Sequence, residues 1–140
     1  MECSVQPSLR LLLVRAGRQA GHGLREALAP LGLEPRHFLL LRGVGAMAGC
    51  SQQAIAAGVE IPPSRMVALV DELEERKLLV RVPNPEDRRA YALRLTPAGR
   101  RVLAKAQAVA DAHEAALVSR LDPEERATLA HLLSRVTADG

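Results

Sequence analysis

Leu9, Leu12, Leu13, Ala16, Ala20, Leu24 and Leu28 recur at the three-and-four spacing of one helix face. That interval predicts a long amphipathic first helix ending near Pro30. Gly17, Gly21 and Gly23 interrupt it, each costing about 1 kcal/mol against alanine. They point either to close approach of another helix or to a kink. A second helix opens at Pro35, a residue suited to a first helical turn. It runs through Phe38-Leu39-Leu40-Leu41 until Gly43, Gly45 and Gly49 dissolve the pattern.

Two short helices follow. Ser51 has the side chain of an N-cap, with Gln52 and Gln53 in the first turn of a helix reaching about Gly58. Pro62-Pro63 marks a break and restart. From Ser64, the spacing of Met66, Val67, Val70 and Leu73 predicts a helix to about Lys77. Asp71, Glu72, Glu74, Glu75, Arg76 and Lys77 crowd its second half. The period then changes. Leu79 to Val82 and Tyr91 to Leu95 read as two short strands. The charged stretch Pro83 to Ala90 between them is longer than an ordinary hairpin loop. Thr96-Pro97 pairs a hydroxyl cap with a first-turn proline. Val102, Ala106, Val109, Ala110, His113 and Leu117 trace one face of the long helix beyond it. Asp122-Pro123-Glu124-Glu125 begins the last helix, with Glu125 placed for a capping box, and Leu129, Leu132, Leu133 and Val136 line its apolar side.

Composition refines this outline. The 140 residues are 48% hydrophobic, with one Phe, one Tyr and no Trp, so the core is aliphatic and favours helices. The length suits a single domain. A net charge of +3 is compatible with a polyanionic partner. Cys3 and Cys50 have neither metal-ligand spacing nor the arithmetic of a disulfide framework, which suits a reducing cytoplasm. Leu11 to Val14, bounded by Arg10 and Arg15, is too short for a signal peptide. No stretch has the length to span a membrane. His22, His37 and His113 are too scattered for a metal site. Nucleophile elbows, phosphate loops and zinc-protease motifs are lacking, so neither a catalytic residue nor a cofactor is expected.

Two short helices and then a two-stranded hairpin is the order of a winged helix-turn-helix. Such a fold sets one helix in the DNA major groove, where its N-terminal residues reach base edges. An Arg-bearing hairpin enters the narrower groove beside it. The runs Ser51-Gln52-Gln53-Ala54-Ile55-Ala56, Pro63-Ser64-Arg65-Met66-Val67-Ala68-Leu69-Val70, Asn84-Pro85-Glu86-Asp87-Arg88-Arg89-Ala90 and Leu95-Thr96-Pro97-Ala98-Gly99 resemble the MarR family of regulators. Asp87-Arg88-Arg89 ahead of a strand matches that family's wing motif, Asp-x-Arg.

The resemblance implies a mainly α fold: a winged helix-turn-helix with a two-stranded wing and a helical dimerisation layer. Within one domain of 1–140, residues 1–33 and 97–140 would form the dimer layer and 34–96 the DNA-binding lobe. It implies that Arg89, oriented by Asp87 and adjoined by Arg88, probes the minor groove. Pro63, Ser64 and Arg65 begin the recognition helix, and Ser51, Gln52 and Gln53 lie near the DNA backbone. Arg36, His37 and Phe38 fall where the family places an effector pocket. The implied function is a cytoplasmic homodimeric repressor that binds a near-palindromic double-stranded operator and is released by a small-molecule effector. Two other readings share these residues: a thiol-based redox-sensing regulator, and a winged-helix module that binds protein without DNA. Two positions depart from the family pattern. Glu60 stands in the turn between the short helices, and Lys77 ends the recognition helix, where glycine is usual.

Overall fold

The computed structural model describes residues 5–84 and 87–138, except for the side chains of 87–89. Six helices and one hairpin follow in order: α1 (Leu9–Leu28), α2 (Pro35–Ala46), α3 (Gln52–Gly58), α4 (Pro63–Glu75), β1 (Leu79–Asn84), β2 (Asp87–Leu95), α5 (Pro97–Leu117) and α6 (Pro123–Thr137). A short 3₁₀ turn, Ala29–Leu31, follows α1. The starts obey simple chemistry. Ser8, Ser51, Thr96 and Asp122 each accept a backbone N–H of the first turn, which satisfies a donor that has no partner within the helix. Proline opens α2, α4, α5 and α6, where its missing N–H is harmless.

The core is aliphatic, with Phe38 as its single described aromatic. Leu28, Leu40, Leu41, Val44, Ile55, Val70 and Leu73 are sealed from solvent, joined by Leu79 and Leu93 of the hairpin. The antiparallel pairing sets Leu79 opposite Leu95, Arg81 opposite Leu93 and Pro83 opposite Tyr91.

The structure departs from the sequence reading in two places. First, α2 continues through Gly43 and Gly45. A methyl at Gly43 would overlap Val59, and one at Gly45 would crowd Leu103 and Leu95. Both glycines therefore admit neighbours rather than end the helix. Second, the strands consume most of the supposed loop, with Asn84 pairing Asp87 after an irregularity beside Pro83. The far edge of β2 is also occupied. Ser51 bridges Ala92, Gly49 N–H donates to Leu93 O, and Leu93 N–H donates to Cys50 O. The wing is thereby tied to the connection ahead of α3.

Gly23 resolves the choice left open for α1, since a methyl there would overlap the imidazole of His113 on α5. This is close approach, whereas Gly17 and Gly21 face open space. His113 is thus a packing residue between α1 and α5.

Glu60 and Lys77 occupy left-handed backbone, at φ 56° and 59°. Each sits one residue past a helix cap. Lys77 N–H donates to Glu74 O and Leu78 N–H to Leu73 O; Glu60 N–H donates to Ala57 O and Ile61 N–H to Ala56 O. These are Schellman closures, whose left-handed residue is ordinarily glycine. Gly32, at φ 69°, supplies that glycine after the 3₁₀ turn. A side chain in this conformation costs about 1–2 kcal/mol. Lys77→Gly should therefore raise unfolding stability by about 1 kcal/mol. A urea midpoint equal to that of the unmodified protein would show that Lys77 is unstrained.

Candidate nucleic-acid interface

The helix-turn-helix is α3, the turn at Glu60, and α4. Ile55 and Ala56 of α3 and Met66, Leu69, Val70 and Leu73 of α4 point into the core, so the opposite faces are free. α3 packs on both α4 and β2, and α4 packs on β1. Pro63, Ser64 and Arg65 are all exposed in the first turn of α4. Arg65 makes no side-chain hydrogen bond or ion pair among the described residues.

The candidates on α3 are less free. Ser51 uses its Oγ to cap Ala54 N–H at 3.0 Å. Gln52 is half-buried, and its Oε1 accepts from Arg81 Nε at 3.3 Å. Gln53 is exposed. These three share a small cleft of about 110 Å³ with Ala90 and Tyr91. The first turn of α3 and the strand that follows the wing tip therefore form one surface. The side chains of Asp87, Arg88 and Arg89 lie outside the described residues.

Four of the six charges in and just beyond the second half of α4 fall into two sets. Asp71 and Glu74, one helical turn apart, both reach Arg81 of β1. Arg81 Nη2 lies 2.6 Å from Asp71 Oδ1, and Arg81 Nη1 lies 3.0 Å from Glu74 Oε1. Glu74 Oε2 also accepts the Arg81 backbone N–H at 3.0 Å. On the other flank, Glu72 Oε2 accepts from His37 Nε2 at 2.9 Å, and Arg76 donates to Gly32 O at 3.0 Å. Arg81 was not singled out from the sequence. The available signal was its register: it shares a strand face with Leu79, so a charged residue at an inward position needed a partner.

His37 is buried and uses both ring nitrogens. Its Nδ1 accepts the Glu34 N–H at 3.0 Å, closing a capping box at the start of α2. The proton therefore sits on Nε2 and is donated to Glu72. That hydrogen bond holds the Glu72 carboxyl below its ordinary range; partial burial opposes the effect, and Arg36 and Arg76 add to it. Arg36 pairs with Glu34 and, at 3.8 Å, with Glu72. Phe38 is a core residue, with the Arg42 guanidinium 5.7 Å from its ring centre. Arg36 and His37 thus form a joint between α2 and α4, while Phe38 packs in the core. A larger open cleft of about 870 Å³ lies between α1, α5 and α6, and none of the three lines it.

Cys50 is a free, half-buried thiol beside the cap of α3; Cys3 lies outside the described residues. No helix among the described residues is long and apolar enough to cross a membrane.

Comparison with known proteins agrees with this geometry. A family model described as MarR family matches residues 31–90, from the 3₁₀ turn to the wing. A protein of Thauera aromatica, named as a transcriptional regulatory protein for the hcr operon, is 35% identical over 105 residues; these are 75% of this chain and 63% of that one. The transcriptional repressor CouR, solved on a 23-mer DNA duplex, is 33% identical, with 94% of this chain and 93% of that one covered at a TM-score of 0.87. CouR from Rhodococcus jostii RHA1 with p-coumaroyl-CoA is 32% identical, covering 96% and 95% at a TM-score of 0.83. Shared helix order, wing and near-complete overlap lead to one conclusion: the chain belongs to the MarR family.

Proposed function

We infer that this protein is a homodimeric, sequence-specific regulator of transcription that binds double-stranded DNA, and that it acts as a repressor released by a small-molecule effector. The observation that carries this reading is Arg65. Arg36, Arg76 and Arg81 of the same lobe are engaged within the protein. Arg65, like Arg94, is exposed without such a partner among the described residues, and of the two it stands in the first turn of the helix that would enter the major groove. Residues 34–96 are the DNA-binding lobe; residues 1–33 and 97–140 are the dimer layer. The setting is the cytoplasm, where the DNA is, and no catalytic role is assigned.

Surface area supports the dimer. A compact monomer of 15.1 kDa exposes roughly 7,100 Å², whereas this chain exposes 10318 Å². Apolar residues without cover contribute to it. No residue of α6 is buried, and Leu129, Leu132, Leu133 and Val136 are all exposed, as are Leu9, Leu12 and Val14 of α1. A second copy packed on these faces by a twofold axis covers them. It also sets the two α4 helices about one DNA turn apart, so the operator is a near-palindrome.

CouR's complex with p-coumaroyl-CoA makes aromatic acyl-CoA thioesters the first effector class to test. The α2–α4 joint of His37 with Glu72 and Arg76 with Gly32 is the path by which movement in the dimer layer would reach the recognition helix.

The testing experiment is a salt titration of binding to a duplex selected by the protein from a randomised pool. The unmodified protein should bind that duplex as a dimer, with affinity falling steeply with salt. Arg89→Ala should weaken binding and reduce the slope of log K against log salt by about one unit. Affinity and slope unchanged by the substitution would show that the wing does not touch DNA. A chain that does not select any sequence would refute the function itself.

A further inference from the structure

We propose that Arg81 is a positioning residue for DNA recognition: it fixes the wing against the recognition helix so that both engage one DNA site together. The inference rests on the DNA-binding reading above.

Arg81 lies where the hairpin leaves the core. Leu79, two residues earlier on the same strand face, is sealed, while Pro83, two residues later, is exposed. Arg81 is therefore the last side chain on that face of β1 to reach the lobe before the strand leaves it. Every nitrogen of its fork has an acceptor: Nε meets Gln52 Oε1 on α3, Nη1 meets Glu74 Oε1 on α4, and Nη2 meets Asp71 Oδ1 on α4. The backbone N–H adds a fourth bond, to Glu74 Oε2. One residue thus joins the strand to both helices of the helix-turn-helix.

The same geometry argues against a direct contact with DNA. The Arg81 side chain is only 19% exposed, and two carboxylates offset its charge. A rigid planar fork that meets three acceptors holds an orientation as well as a distance, which a lysine ammonium does not do. Asp71 and Glu74 also sit on the helix presented to a polyanion, where two carboxylates oppose binding unless they serve another purpose. Gripping Arg81 is that purpose.

The test uses the full-length protein and a duplex selected by the unmodified protein from a randomised pool, read by hydroxyl-radical footprinting and by affinity. The unmodified protein should protect a core read by α4 and flanks touched by the wing. Arg81→Met should bind about tenfold more weakly, keep core protection and lose flank protection. The double variant Asp71→Asn/Glu74→Gln keeps the arginine and the shape of its partners at positions 59% and 39% exposed, so it should fold normally. It should show the same split, although it removes two charges that repel DNA. Tighter binding by the double variant with intact flanks, beside a weakened Arg81→Met, would identify Arg81 as a direct phosphate contact and overturn the proposal. Core and flank protection lost together in both variants would reduce Arg81 to a merely structural role. Flank protection retained in both variants would also refute the proposal. A core-only footprint from the unmodified protein would instead remove the wing from DNA altogether, and the role of Arg81 with it.

Discussion

Replacing Gly99 by alanine should destabilise the folded chain by about 3 kcal/mol, the upper part of the range for overpacking. A methyl at Gly99 would overlap the carbonyl oxygen of Leu78. That carbonyl is backbone in the turn between α4 and β1, and it already accepts the Thr96 N–H at 3.1 Å. Thr96 adds two further bonds: its Oγ1 caps Gly99 N–H at 2.9 Å and donates to Lys77 O at 2.7 Å. The start of α5 is therefore pinned to the end of α4, and neither side yields without losing hydrogen bonds. Alanine's better helix propensity returns at most about 1 kcal/mol. The measurement is urea unfolding at matched protein concentration, since assembly shifts apparent stability. Gly23→Ala is the control. The group it meets is the His113 ring, which can rotate away, so the loss should be clearly smaller. A Gly99→Ala midpoint equal to that of the unmodified protein would mean that α5 does not begin against Leu78.

Arg65→Ala should remove discrimination at one base position of each half-site, at a cost of about 1–3 kcal/mol there. The side chain is exposed in the first turn of α4, and Pro63 at the first helical position sets where that turn begins. A guanidinium placed there pairs with O6 and N7 of guanine, the commonest specific contact in the major groove. The check is selection from a randomised pool by both proteins. A base profile identical in the two, merely weaker with Arg65→Ala, would assign Arg65 to phosphate and leave base reading to Ser64 or Gln53. Because Arg81 grips α4 at Asp71 and Glu74, beyond the first turn that carries Arg65, its variants should alter the flanks and leave this central position unchanged.

Much of this was legible along the chain, because the signals were local. Ser51, Thr96 and Asp122 cap helices through bonds that span three residues. The three-and-four spacing of apolar residues places α1, α4 and α5 without knowledge of any neighbour. The departures at Glu60 and Lys77 were visible too, since a Schellman closure demands a left-handed residue whatever occupies it.

Other features depended on distant contacts. Gly43 and Gly45 read as breakers, yet α2 runs through them, because Val59 and Leu103 occupy the space a side chain would fill. Propensity speaks for an isolated helix, and tertiary packing overrides it. The charges on α4 were plain in the sequence but not their sorting, which pairs Asp71 and Glu74 with Arg81 on one flank and Glu72 with His37 on the other. His37 has the composition of a pocket residue and the geometry of a latch, with both nitrogens engaged.

By itself, then, the sequence determined the order of the elements and most of their starts, since each depends on spacing within a few residues, and its motifs carried the resemblance to the family. Only the tertiary structure decided which charges hold the lobe together and which, like Arg65, stay exposed without a partner among the described residues. A side chain's partner across 29 or 35 residues is set by how whole elements pack, and no local period along the chain encodes that distance.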